Sequence, residues 1–185
     1  MNNIYIYNNP STATYLKIIT GEDLIRQTRG IVISLCSSYL TAESNEIFSD
    51  FYRQNGSNMI IARKVKEEIN DPKSNAFHCG YSENKYEITQ KLSEVNSDAT
   101  SFPELLHTEN DKEAVLSAKD HNGIAITADF DEVVNASYLT VPFIFRIPED
   151  ELKKYNGPQN YIDIFFKKKV GNLLKEINNR KHANI

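Results

Sequence analysis

The chain has 185 residues, 40% of them apolar and 25% charged, with a formal net charge of -4 and two cysteines. That is enough chain for one globular domain with an ordinary core, which excludes a disordered or low-complexity protein. The acidic balance excludes a surface coated in nucleic acid, two cysteines exclude a disulfide framework, and apolar runs as short as IVISL and VPFIF exclude a bilayer-crossing helix.

The start, MNNIYIYNNP, lacks the basic opening and long apolar stretch of a signal peptide, so a cytoplasmic protein without membrane attachment is expected. IYIY and TYLKII predict short strands, and GEDLIRQTRG a short helix bounded by glycines. GIVISLCSSYL, with its dense β-branched start, predicts a strand covered on both faces, as in a parallel sheet. Thr41 is the candidate N-cap of a helix over TAESNEIFSDFYRQNG, in which Ile47, Phe48, Phe51 and Tyr52 recur at helical spacing. NMIIARKVKEEIND reads as a strand from Met59 to Ala62 running into a helix with Val65, Glu67, Glu68 and Ile69, ended by Pro72.

NKYEITQKLSEV predicts a further helix through Tyr86, Ile88, Leu92 and Val95, and FPELL the start of another. His78 beside Cys79 invites a zinc reading, but no second Cys or His pair stands at ligand spacing. DKEAVLSAKDHNGIAITADFDEV then gives a helix from Glu113 to His121, a stop at Gly123, a strand over IAIT, and a loop with a helical turn. LTVPFIFRI supplies a last strand, with Pro142 at its start or on a sheet edge. From Tyr161 the tail is amphipathic through Phe165, Val170, Leu173, Leu174 and Ile177, and its last 19 residues carry six Lys or Arg against one Glu.

This alternation predicts an α/β fold, a three-layer sandwich with a mainly parallel sheet and its ligand site at the carboxyl ends of the strands. The chain divides into an N-terminal extension (1–30), the α/β domain (31–160) and a basic amphipathic C-terminal helix (161–185). Asp111 opens a helix, Glu68 follows the strand at Met59, and Asp129 follows the strand at Ile124, so the three carboxylates can converge on one sheet edge. A divalent cation with oxygen ligands relieves such repulsion, and it can activate water against a phosphodiester. Each residue also has a plainer reading. Asp111 suits a helix cap, Asp129 or Asp131 can cap the next turn, and Glu67 and Glu68 lie in a mixed charged face.

Together these residues carry a resemblance. Asp111 opening a helix, Ala118 seven residues on, Gly123, then a short strand ending in Thr127-x-Asp129 resemble a motif region of PIN-domain ribonucleases, the fold of many toxin–antitoxin nucleases. IIARKVKEEI is similar to that family's strand-to-helix segment, in which a Val precedes a metal-binding Glu by three residues; the match puts that Glu at Glu68. The resemblance implies a PIN-like fold and a Mg or Mn site formed by Glu68, Asp111 and Asp129, with Asp131 as a further ligand and Thr127 and Ser34 as auxiliary groups. It departs at the first strand, which in the family ends in a metal-binding Asp; here Ser34 or Cys36 stands there, or Asn8 or Asn9 if NNIYIYNNP is that strand.

Two functions are therefore expected in parallel. One is a metal-dependent ribonuclease, with Lys167, Lys168, Lys169, Arg180 and Lys181 gripping RNA phosphates; their plain reading is a solvated helix face. The other is a catalytically inactive PIN-like module that binds protein or RNA, using the apolar side of the terminal helix; in the plain reading that stripe docks on its own domain. Toxin–antitoxin membership would add a small antitoxin-like or regulatory partner, and a homodimer is left open.

Overall fold

The computed structural model describes residues 3–10, 16–74 and 82–183; the His78–Cys79 pair lies outside them. Among the described residues seven strands form one sheet: β1 (Ile4–Asn8), β2 (Lys17–Thr20), β3 (Ile33–Leu35), β4 (Met59–Ala62), β5 (Ser93–Val95), β6 (Ile124–Thr127) and β7 (Phe143–Arg146), in the order β2-β1-β7-β6-β3-β4-β5. Strands β3 to β7 pair in parallel, whereas β1 runs antiparallel to both β2 and β7. The residues expected to be an N-terminal extension thus extend the sheet past β7.

The helices are α1 (Gly21–Gln27), α2 (Ser37–Ala42), α3 (Asn45–Asn55), α4 (Arg63–Asn70), α5 (Glu83–Gln90), α6 (Glu109–Asp120), α7 (Phe130–Tyr138) and α8 (Glu149–Lys154). A helical turn (Pro158–Asn160) and a π-helical stretch (Tyr161–Phe166) then lead into α9 (Lys167–Ala183). Alternation along the strands builds a core on each side of the sheet. Ile33, Leu35, Met59, Ile61, Ile124, Ile126 and Ile144 pack with Leu24, Leu40, Phe48, Phe51, Val65 and Ile88 from α1 to α5. The intervening Ala125, Phe143 and Phe145 pack with Val115 and Ala118 of α6, Val133 and Ala136 of α7, and Phe166. The result is the expected α/β three-layer sandwich.

Several boundaries differ from the sequence reading, each for a local reason. GIVISLCSSYL is not one strand: β3 ends at Leu35, and α2 takes Ser37 onward. Thr41 lies inside α2; the N-cap of α3 is Ser44, whose hydroxyl accepts the Ile47 amide at 3.3 Å. Leu92 and Val95 leave the predicted helix because the chain turns after Gln90 into the edge strand β5. FPELL forms turns rather than a helix start, and α6 begins earlier than expected, at Glu109 with Thr108 as N-cap. The loop expected around ADFDEVVNA is the full helix α7. α1 starts at Gly21 itself, because Thr20 and Asp23 form a reciprocal capping box.

The stop at Gly123 has two causes. Asn122 adopts a left-handed backbone, with φ of 51°. Gly123 then passes so close to β3 that a Cβ would stand 2.4 Å from the Val32 carbonyl oxygen. That approach lets the Ile124 amide bond Val32 at 2.8 Å and sets β6 beside β3.

Candidate functional site

Strands β3 and β6 are neighbours, yet their onward connections go to opposite sides, β3 to β4 and β6 to β7. In an open parallel sheet this divergence opens a crevice at the strands' carboxyl ends. Here Cys36 and Ser38 follow β3, Thr127 ends β6 and Asp129 follows it, with the Cys36 amide bonded to the Ile126 carbonyl at 3.0 Å and the Ser38 and Thr127 hydroxyls 3.2 Å apart. Glu68 and Asp111 reach the same edge from α4 and α6, which pack on each other.

Asp111 stands in the first turn of α6 and accepts the Thr108 hydroxyl at 2.8 Å. Asp129 is the N-cap of α7 and accepts the Asp131 amide at 2.7 Å. Both carboxylates therefore sit at positive helix ends, which offsets part of their mutual repulsion. Glu68 is half-buried and accepts the Asn110 side-chain amide at 3.3 Å. Its neighbour Glu67 is the solvated one, exposed and 3.5 Å from the Lys64 ammonium.

The electrostatics tie these groups together. Burial lifts the Asp111 carboxyl above its ordinary range; the Thr108 hydroxyl opposes the shift, the Asp129 charge adds to it and His107 opposes it. Glu68 is lifted by burial and further by the charge of Asp111, against hydrogen bonds from Ser37 and Asn110. Burial also raises the Cys36 thiol well above its ordinary value, helped by the charges of Glu132, Asp111 and Asp129. The edge is a focus of negative potential.

Glu132, in the first turn of α7, was not among the residues singled out from the sequence, yet its side chain lies deepest. It is fully buried, and burial together with the charges of Asp111 and Asp129 pushes its carboxyl up to about 8. Its Oε2 accepts the Ser38 hydroxyl at 2.6 Å and the Thr127 hydroxyl as well, whereas its Oε1 accepts no N–H or O–H among the described residues and the carboxyl's other polar neighbour is the Cys36 thiol. Thr127 does what was expected of it in a different way: it holds this carboxylate while accepting the Asp129 amide at 2.8 Å. The only sequence signal for Glu132 is its spacing, three residues after an N-cap Asp. That spacing reads as a capping box and points to the helix end rather than into the sheet.

Ser34 is spent elsewhere: it donates to the Ala114 carbonyl at 2.7 Å within the α6 packing, and Cys36 is the first residue past β3. Asp131 is ion-paired with His107, whose backbone is left-handed at φ of 61°. A cleft of about 700 Å³ opens beside Asp129 and Asp131, walled by His107, Phe130 and Leu173 and by Lys169, Glu176 and Arg180. Of the five basic residues expected to face RNA, Lys169 and Arg180 line this cleft. Lys169 lies 4.3 Å from the Phe130 ring centroid, Arg180 pairs with Glu176 at 2.6 Å, Lys167 pairs with Asp163 at 2.6 Å, and Lys181 lies over Tyr138. Lys168 is exposed.

The donors at this edge are carboxylate oxygens, the set preferred by hard divalent cations, and one buried oxygen accepts no N–H or O–H from the described residues. Among the described residues, no three His, Cys, Asp or Glu side chains already surround a single point as metal ligands do. Compared with known protein families, curated proteins and solved structures, the chain matches none.

Proposed function

We propose that this protein is a metal-dependent ribonuclease that cleaves RNA phosphodiesters with Mg or Mn held by Glu68, Asp111 and Asp129. The observation that carries the reading is the convergence of these carboxylates from α4, α6 and the end of β6 on the β3/β6 crevice, where each of Glu68 and Asp111 feels another acid of the set. When bound, the ion would supply an activated water and neutralise charge on the phosphodiester. The chain's own residues then have separate tasks. Asp129 and Asp111 orient their carboxylates through the α7 cap and the Thr108 hydroxyl. Lys169 and Arg180 offer positive charge to phosphates along the adjoining cleft. Asp131, paired with His107 at the cleft mouth, is the auxiliary acid.

The terminal helix does not offer the free apolar side that an inactive, partner-binding module would use. Val170, Leu173, Leu174 and Ile177 pack on Leu105, Leu106, Leu116 and Val134 of the same chain. A small antitoxin-like partner would in our reading cover the cleft rather than the helix. The test is incubation with a mixed pool of single-stranded and structured RNA in Mn²⁺ or EDTA, using wild type and Asp129→Asn. Fragments that need both the metal and Asp129 support the proposal; fragments unchanged by EDTA or by the substitution contradict it.

A further inference from the structure

A cluster of acids alone does not define a ligand, but Glu132 adds an independent observation. Buried carboxylate oxygens are normally hydrogen-bonded, because leaving one bare costs the full desolvation of that atom. Two hydroxyls, from Ser38 on α2 and Thr127 at the end of β6, fix Glu132 Oε2, and so fix where Oε1 stands. Among the described residues no N–H or O–H reaches that oxygen, which is fully buried and within reach of the charges of Asp111 and Asp129. The thiol of Cys36, a weak donor, is hydrogen-bonded to the same carboxyl group.

We infer that Glu132 is the innermost metal ligand of the site, its Oε1 meeting the cation and standing in for the acid that is missing from the end of β3. The inference rests on the metal-site reading above and deepens it. A carboxylate delivered from α7 replaces one that would have come from Cys36's position, and the two side chains lie against each other. Cys36 is the N-cap of α2 and makes no side-chain capping bond, so an Asp there would gain a cap while bringing an acid back to the strand end.

The relocation can be tested by moving the carboxylate back. Mn²⁺ is titrated calorimetrically into wild type, Glu132→Gln, Asp129→Asn and the double variant Cys36→Asp/Glu132→Gln, and each is melted in EDTA and in Mn²⁺. Glu132→Gln is expected to bind Mn²⁺ at least about tenfold more weakly, to melt no lower than wild type in EDTA, and to lose most of the Mn²⁺-induced rise in Tm. The double variant should recover binding. A Glu132→Gln protein that binds Mn²⁺ like wild type while Asp129→Asn does not would overturn this inference and leave the metal site standing. Lower melting of Glu132→Gln in EDTA, or no recovery in the double variant, would also overturn it, by making Glu132 a structural residue. Absence of saturable binding in wild type would overturn both readings together.

Discussion

Two buried carboxylates at the carboxyl edge of this sheet are treated in opposite ways. Glu43, at the end of α2, is fully engaged: Tyr5 donates to it at 2.6 Å, the Ser44 amide at 2.9 Å and Asn3 through its amide, while Arg146 of β7 stands 3.6 Å away. Glu132, at the start of α7, has two hydroxyls on one oxygen, no N–H or O–H on the other among the described residues, the Cys36 thiol beside it, and acids as its charged neighbours. The first arrangement satisfies the carboxylate within the chain and joins α2 to the antiparallel β1 and to β7, although Arg146 Nε makes an ion pair and no hydrogen bond among the described residues. The second has only a weak thiol donor to spare for its other oxygen among the described residues, which leaves that oxygen open to a proton or a cation. A buried acid whose bonds are all internal marks architecture; one left half-bonded among like charges marks a site.

The largest effect should come from breaking the closed network. Glu43→Ala leaves the partly buried Arg146 without its counter-charge and should cost about 3–5 kcal/mol in urea unfolding. A loss below about 1 kcal/mol would mean the pair behaves as a surface one, and the contrast with Glu132 would fail.

Next in size is the pH dependence that the open site imposes. The folded metal-free protein holds a proton on Glu132 up to about pH 8, whereas the unfolded chain releases it near 4.5. The folded state therefore binds more protons between those values, and stability should fall as pH rises from about 4.5 to 8, by on the order of a few kcal/mol. In EDTA, Glu132→Gln should flatten that slope. An identical slope in the variant would show that the groups responsible lie elsewhere.

Gly123→Ala probes the approach that brings β6 to the site. With the Val32 carbonyl oxygen 2.4 Å from the added Cβ, the strands must separate, and a cost of about 1–3 kcal/mol is expected in thermal or urea unfolding. The smallest expected effect concerns the basic tail. Lys169→Ala with Arg180→Ala should reduce the salt dependence of RNA affinity, by a slope of about 0.7 for each phosphate no longer neutralised. Lys167→Ala should leave it unchanged, since that residue pairs with Asp163 outside the cleft. Equal effects of the two changes would remove the cleft from the substrate path.

The same contrast separates what could be read from the sequence. Met59–Ala62 and the helix after it were legible because a short apolar run meets a helical pattern with no intervening turn. Asp111, Ala118, Gly123 and Asp129 were legible as a spaced set, and the close pass at Gly123 gives that spacing its steric reason. β5 was not legible: it is an edge strand of three residues, two of them polar and exposed, and its Val95 fits the helical pattern of α5. Glu43 and Glu132 were hidden for a shared reason. Each owes its meaning to neighbours distant in the chain, Arg146 for one and Ser38 for the other, and neither leaves a local spacing that differs from a helix-end acid.

The central claim is that the edge carrying Asp129 holds a divalent cation, and calorimetric titration of Mn²⁺ into wild type and Asp129→Asn tests it most directly, without requiring the RNA target. Saturable binding in wild type that the substitution abolishes is the predicted result. No saturable binding by wild type at millimolar Mn²⁺ would contradict it.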